Sequence, residues 1–144
     1  MIQQADILTA IRRRWERDST LTALVPGGLH HAENTGTRSP WAVFLCEDGD
    51  LEWFSGQVYL QRFLVEIGVY TTAGTVDAGA IGRVIDELFR PALAQHHFQL
   101  PGPNAKFIGI DPAPGALELL DETHEAKGVL ALHRRYDVLI QAER

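Results

Sequence analysis

The hydrophobic residues of one long segment, residues 57–70, alternate with other residues in the manner of a β-strand. In its second half one face carries Phe63, Val65, Ile67 and Val69, and the other carries Arg62, Leu64, Glu66, Gly68 and Tyr70. Because side chains alternate between the two sides of a strand, this pattern predicts a strand with a defined buried face. At about 3.3 Å per residue the segment would span about 45 Å, which is long for a strand. We therefore expect it to bend or to project beyond the body of the domain.

Two other segments repeat their apolar residues with the spacing of a helix. They cover residues 4–18 and 77–89, and a short helical turn follows the first at residues 19–25. The apolar stripes are Ile7, Leu8, Ile11 and Trp15 in the first helix, and Ala78, Ile81, Ile85, Leu88 and Phe89 in the second. Residues three and four apart share a helix face, so each stripe predicts one buried side. The expected N-caps are Ser19 or Thr20 for the short turn and Thr75 for the second helix.

Shorter strand patterns surround these elements. Strands are expected at residues 29–33, 41–46, 106–111, 116–120 and 128–141, and Asp48-Gly49-Asp50 predicts a turn beyond which residues 51–54 continue. The resulting order is helix, strands, long strand, helix, strands. It predicts a two-layer α+β fold with a mostly antiparallel sheet and the helices packed on one face. At 144 residues the chain is expected to form a single domain, residues 1–144.

Composition and charge exclude several classes of function. The formal net charge is −6, which argues against a general nucleic-acid binder, because such a protein presents basic residues to phosphates. No apolar run approaches the roughly 18 residues that a transmembrane helix needs, so no membrane partner is expected. The first residues lack the basic start and apolar core of a secretory signal, which indicates synthesis in the cytoplasm.

The sequence offers little catalytic chemistry. The histidine pairs His30-His31 and His96-His97 are adjacent in sequence, so the members of each pair point in different directions on a strand or a helix and form no zinc-binding pair. There is no Gly-x-Ser-x-Gly nucleophile motif and no phosphate-binding glycine loop. Cys46 lies in an apolar run, where a cysteine usually behaves as a small buried hydrophobic residue. We therefore expect no catalytic residue, no cofactor and no metal, and we expect that the protein is not an enzyme.

Acidic residues form two clusters at predicted turns or strand ends. They are Glu47, Asp48, Asp50 and Glu52 in the first cluster, and Glu118, Asp121, Glu122 and Glu125 in the second. One interpretation is that both are ordinary solvated turns, in which acidic residues are common. The other is a negatively charged rim that repels DNA or meets a basic partner.

The order of these elements resembles that of the tail terminator, or tail completion, proteins of long-tailed bacteriophages and gene transfer agents. The resemblance rests on an opening helix, the apolar turn at residues 21–28, the strand start Ser39-Pro40-Trp41-Ala42-Val43-Phe44, the long strand through Phe63-Leu64-Val65-Glu66-Ile67-Gly68-Val69-Tyr70, the helix at residues 78–89 and the terminal strand at residues 129–140. It covers nearly the whole chain at the level of pattern. The histidine pairs and the Pro101-Gly102-Pro103 loop depart from the family pattern.

The resemblance implies a structural virion protein that forms a ring, expected to be a hexamer, on the finished tail tube. Such a ring ends tube growth and joins the tail to the head, so the implied partners are further copies of the chain, the tail tube protein, and neck or head completion proteins. DNA is expected to pass through without specific binding. The family has no catalytic motif to transfer to this chain.

A ring needs two different contact patches on each subunit, and a projecting long strand suits this role because it can pair with a neighbour's sheet edge. The predicted subunit or tube interface comprises Asp48, Asp50, Glu52, Trp53, Phe54, Tyr59, Gln61, Asp121, Glu122 and Glu125. Two alternatives remain open. In the first, the chain is a neck, head–tail joining or tail tube protein of the same assembly class. In the second, it is a small α+β enzyme or ligand-binding domain.

Overall fold

The computed structural model describes residues 2–31, 38–53, 55–72, 76–90, 98–100, 105–113, 123–124 and 128–143. Three helices lie within these ranges: α1 (Gln4–Arg17), α2 (Ser19–Leu24) and α3 (Ala78–Leu88). The strands are β1 (Leu29–His31), β2 (Trp41–Trp53), β3 (Val58–Thr71), β4 (Lys106–Pro112), β5 (Thr123–His124) and β6 (Gly128–Glu143). The expected strand at residues 116–120 lies outside the described residues.

The strands form one sheet in the order β1-β2-β3-β6-β4, and β5 pairs with β6. Every described pairing is antiparallel except that of β1 with β2. The long strand β3 lies at the centre, where it pairs with β2 on one side and with β6 on the other along almost its full length. The predicted α+β fold with a mostly antiparallel sheet is confirmed.

The helices cover one face of this sheet. The strand register places Phe63, Val65, Ile67 and Val69 beside alternate residues of β2 and β6 on that face. These strand residues share one apolar cluster with the buried residues of α1, α2 and α3, which include Ile7, Ile11, Trp15, Leu21, Ile81, Ile85 and Leu88. The helical stripes and the alternation of β3 were therefore predicted correctly, because both follow from burial on one side of the element.

The second face of the sheet is also partly buried. Trp41 and Tyr70 stack there with ring centroids 5.9 Å apart, and Val43 packs with them in a smaller apolar cluster. The alternation of β3 assigned Tyr70 and Glu66 to this face without indicating that they would be buried, yet both are fully buried in the structure. The continuous apolar run that begins β2 is explained by the same observation, since its residues supply both faces.

The Asp48-Gly49-Asp50 sequence forms no turn, which corrects the prediction. Strand β2 continues through it to Trp53, with a β-bulge between Asp48 and Leu51 that inserts one extra residue opposite β3. A Cβ on Gly49 would lie 3.1 Å from Cβ of Arg62 on β3, so a larger residue there would require its surroundings to shift by a few tenths of an ångström.

Both predicted helix caps are also replaced by aspartates. The Asp18 side chain accepts a hydrogen bond from the Leu21 backbone N–H at 2.9 Å and caps α2 in place of Ser19 or Thr20. The Asp77 side chain accepts one from the Ala80 N–H at 2.9 Å and caps α3. The predicted cap Thr75 lies outside the described residues. Aspartate suits this position because its carboxylate also interacts favourably with the positive end of the helix dipole.

Candidate interface surfaces

The first candidate surface is the outer half of β2 together with the part of β3 behind it. Strand β1 pairs with residues 42–44 of β2, and no described strand pairs with the outer side of residues 45–52. We call residues 45–53 of β2 and 58–62 of β3 the arm. An open strand edge of this length can accept another strand through main-chain hydrogen bonds.

The arm combines acidic side chains with two exposed apolar ones. All residues from 47 to 53 are exposed, including Glu47, Asp48, Asp50 and Glu52. Leu51 is 41% and Trp53 44% exposed, and they are two of the three large exposed hydrophobic residues in the described ranges. The bulge shifts the register so that Leu51 and Trp53 lie opposite Gln61 and Tyr59, and they therefore share the helix-covered side of the sheet. The arm thus presents an apolar pair on one side together with Asp48, and Glu47 and Glu52 on the other side.

Neighbouring residues hold the arm in place. The Trp53 ring lies 5.0 Å from that of Tyr59, which is itself buried. The Gln61 side-chain N–H donates a hydrogen bond to the Ile2 carbonyl at 3.1 Å and so attaches the arm to the start of the chain. At the tip, the Ser55 hydroxyl oxygen accepts hydrogen bonds from the backbone N–H groups of residues 57 and 58. These contacts indicate a defined hairpin.

The structure brings together six of the ten residues that the sequence predicted as an interface. Asp48, Asp50, Glu52 and Trp53 are exposed on the arm, while Tyr59 and Gln61 lie beneath them as supports. The remaining four lie outside the described residues: Phe54, Asp121, Glu122 and Glu125. Contact of any of these residues with another protein stays a prediction.

A second surface, which the sequence did not indicate, is a groove of about 600 Å³ between the C-terminal end of α3, β4 and β6. Phe89, Ile110 and Tyr136 line it, and the rings of Phe89 and Tyr136 stack with centroids 4.2 Å apart. Four arginines also line it: Arg83, Arg90, Arg134 and Arg135. The groove therefore joins an apolar wall to a basic rim.

Two carboxylates partly neutralise this rim. The Arg134 Nε donates to Asp86 at 3.1 Å, and the Tyr136 hydroxyl donates to the same carboxylate at 2.6 Å. Burial and this hydrogen bond raise the pKa of Tyr136 well above its usual range, so the hydroxyl remains a donor. Arg90 pairs with Glu87, whereas Arg83 forms no ion pair with any described residue. Within the described part of the chain, Arg83 is therefore the positive charge of the groove that has no ion pair.

The sheet also contains a buried charge pair that the sequence did not reveal. Glu66 is fully buried, and its carboxylate lies 2.8 Å from Nε of Arg135 on β6. His133 lies 4.0 Å from the same carboxylate, and burial together with the charges of Arg135 and Arg134 lowers the pKa of His133. The pairing follows from the strand register, which places Glu66 directly opposite Arg135. Its only sequence signal was a single acidic residue within an apolar strand.

The residues that a catalytic or metal site would use are the cysteine, the histidines and the carboxylates of the described part of the chain. No group of three or more His, Cys, Asp or Glu side chains within these ranges is placed to hold a metal ion. Cys46 is half-buried against the main core, and burial and the nearby Asp48 charge raise its pKa to about 12. Its thiol is therefore protonated at neutral pH and a poor nucleophile. His30 is engaged, because its Nε2 donates to the Gly27 carbonyl at 2.6 Å, and His96-His97 lie outside the described residues. Among the described helices, none has the length and apolar character needed to cross a membrane.

The similarity of this chain to known proteins lies in its structure. No protein-family model and no curated protein matches the sequence. A chain of the solved structure described as "Virion of native gene transfer agent (GTA) particle" matches the fold with a TM-score of 0.56 at 17% sequence identity. The match covers 96% of this chain and 94% of that chain. At this identity it shows that the present chain shares its fold, over almost its entire length, with a chain of a gene transfer agent virion.

Proposed function

We propose that this protein is a structural component of a phage-like virion and that it acts there as a tail terminator. In this role, a ring of subunits, proposed to be a hexamer, caps the finished tail tube, ends its growth and provides the surface to which the head is joined. The tail tube protein and the neck or head completion proteins are its proposed partners. The protein has no catalytic role in this proposal, and DNA passes through the ring without specific binding.

The observation that carries this proposal is the end-to-end structural match to a chain of a gene transfer agent virion. The arm adds independent support. A ring requires surfaces that bind further subunits, and a strand edge that no described strand covers, with an exposed apolar pair beside it, is such a surface. The net charge of −6 suits a protein past which DNA slides without being retained.

Two alternatives belong to other positions or classes. A neck, head–tail joining or tail tube protein would use the same kind of subunit contacts, so the match to a virion chain supports this alternative equally. The groove of about 600 Å³ has the volume of a small-molecule pocket and favours a ligand-binding domain as a second candidate. A ligand-binding domain does not need to assemble beyond the monomer of 16.0 kDa, whereas a ring protein would form multiples of this mass or assemble on tail tubes.

Electron microscopy of the purified protein, with and without tail tubes, tests the proposal. A tail terminator is expected to form rings that bind one end of each tube and to stop further addition of tube protein. Binding along the whole tube or incorporation into it would instead assign the chain to the tube. A chain that remains monomeric and binds no tube would refute the virion role.

The predicted interface has its own test in virion assembly. Replacing Asp48, Asp50 and Glu52 with lysine is expected to impair tail completion or joining while the monomer stays folded, because all three side chains are exposed on the arm. Infectivity equal to that of the unmodified virion, with normal tail lengths, would contradict a role of the arm.

A further inference from the structure

We propose that the groove between α3, β4 and β6 receives the arm of a second copy of this chain. Each subunit then inserts its arm into the groove of one neighbour and accepts the arm of the other neighbour in its own groove. The inference rests on the proposed function, because a closed ring needs a head-to-tail contact between two different surfaces.

The positions of the two surfaces fit such a contact. The arm is built on β2, near one end of the strand order, and the groove is built on β4 and β6, at the other end. A contact between the arm and the groove joins two different surfaces of the chain, so it is heterologous. Repetition of this contact generates a ring or a filament and not a two-fold dimer.

The apolar parts of the two surfaces are complementary in chemistry. Leu51 and Trp53 project from the same side of the arm and are the exposed apolar groups there. The stacked rings of Phe89 and Tyr136, each only 2% exposed, form the floor of the groove, whose accessible lining is mostly apolar. Its volume of about 600 Å³ is sufficient for the side chains of Leu51 and Trp53. An indole that enters it would also lie among arginine side chains, which bind favourably to the face of a tryptophan ring.

The charges of the two surfaces are opposite. On the side of the arm that carries Leu51 and Trp53, Asp48 supplies an exposed carboxylate opposite Phe63, while the groove has Arg83, which forms no ion pair with any described residue. The ion pair of Arg90 with Glu87 is exposed on both sides, so it contributes little to stability and can be exchanged at low cost for a carboxylate of the arm. Opposite charge also gives the contact its register and discriminates against wrong partners.

Two complementary variants test this inference. The arm variant carries Trp53→Ser and Asp48→Lys, and the groove variant carries Arg83→Glu and Arg90→Glu. All four positions are exposed, so both variants are expected to fold, which circular dichroism and thermal unfolding check. The matched control is Arg13→Glu with Arg17→Glu, which reverses two exposed arginines on α1 away from the groove.

Light scattering after gel filtration gives the readout. Each variant alone is expected to be monomeric at 16.0 kDa, and the control is expected to assemble like the unmodified chain. An equimolar mixture of the two variants is expected to stop at a dimer, because one intact arm and one intact groove remain in the mixture. If the unmodified chain assembles only on tail tubes, the fraction of capped tubes replaces the mass, and neither the variants nor their mixture is expected to cap tubes.

The outcomes separate the inference from the proposed function. Rings of the unmodified chain that persist in the groove variant would overturn the inference and leave the proposed function intact, as would two monomeric variants that give no dimer on mixing. Rings that persist in the groove variant but no longer bind tubes would assign the groove to another virion protein instead. An unmodified chain that neither assembles nor binds tubes would overturn both.

Discussion

Removing the negative charge of Glu66 is expected to destabilise the fold more than any change on the surface. Glu66 is fully buried beside Arg135, whose side chain is only 11% exposed. Glu66→Met keeps a similar side-chain length but leaves the guanidinium buried without its carboxylate. Breaking a buried pair in this way costs about 3–5 kcal/mol. This is a large fraction of the roughly 5–15 kcal/mol by which a domain is stable.

The double variant Glu66→Met with Arg135→Met isolates the cause. Because it removes both charges, it is expected to lose clearly less stability than Glu66→Met alone, since replacing a buried ion pair by apolar residues is often neutral. The exposed Arg62 on the same strand supplies the control, and Arg62→Met is expected to change stability by less than about 0.5 kcal/mol.

Urea unfolding followed by tryptophan fluorescence measures all three free energies of unfolding. Losses in Glu66→Met and in the double variant that are equal within error would refute the reasoning, because the cost would then come from packing and not from an unpaired charge. A loss of stability below about 1 kcal/mol in Glu66→Met would also refute the reasoning, since a cost that small is typical of an ion pair exposed to water.

Three further predictions concern single side chains. The lowered pKa of His133 means that the folded state resists protonation of this side chain. The free energy of unfolding is therefore fully present above about pH 6.5 and falls below that pH. In urea unfolding, His133→Gln is expected to lose less stability than the unmodified protein between pH 7.5 and pH 5.5. Gly79→Ala is expected to stabilise the protein by up to about 1 kcal/mol, because the added Cβ would meet an Asp77 oxygen at 3.5 Å, an ordinary contact. Gly82→Ala is expected to gain less stability in the same assay, because its Cβ would collide with the Arg134 guanidinium. The Cys46 thiol is expected to react with iodoacetamide at least tenfold more slowly in the native protein than in urea, because its raised pKa suppresses the thiolate.

Helices and strands whose buried side is marked by their own pattern of apolar residues were predictable from the sequence. The alternation of β3 and the apolar stripe of α3 each follow from burial of one side, so the strand, the helix and the α+β class could be derived before the structure was known. The bulge at Gly49 could not, because aspartate and glycine favour a turn as readily as a bulge. Only the pairing with β3 decides between them.

The two candidate surfaces also differ in whether the sequence could predict them. The exposed acidic and aromatic residues of the arm were identified from sequence because they are consecutive in the chain. The groove was not, since Arg83 and Arg134 are far apart in sequence and meet only through the packing of α3 on β6. The pairing of Glu66 with Arg135 was hidden for the same reason, because it depends on the register between two strands.

The charge of the arm also bears on how it is prevented from binding to itself. Two identical arms could pair edge to edge, since each has an outer strand edge without a strand partner in the described ranges. Such a pair would bring the carboxylates of both arms to about the 4.8 Å spacing of neighbouring strands, well within the screening length of about 8 Å at physiological salt. Like charges at this distance oppose the contact, as charged residues do at the sheet edges of many proteins. To such a carboxylate the groove offers Arg83, which has no ion pair among the described residues. The acidic residues of the arm therefore disfavour a two-fold dimer and favour the head-to-tail contact that a ring requires.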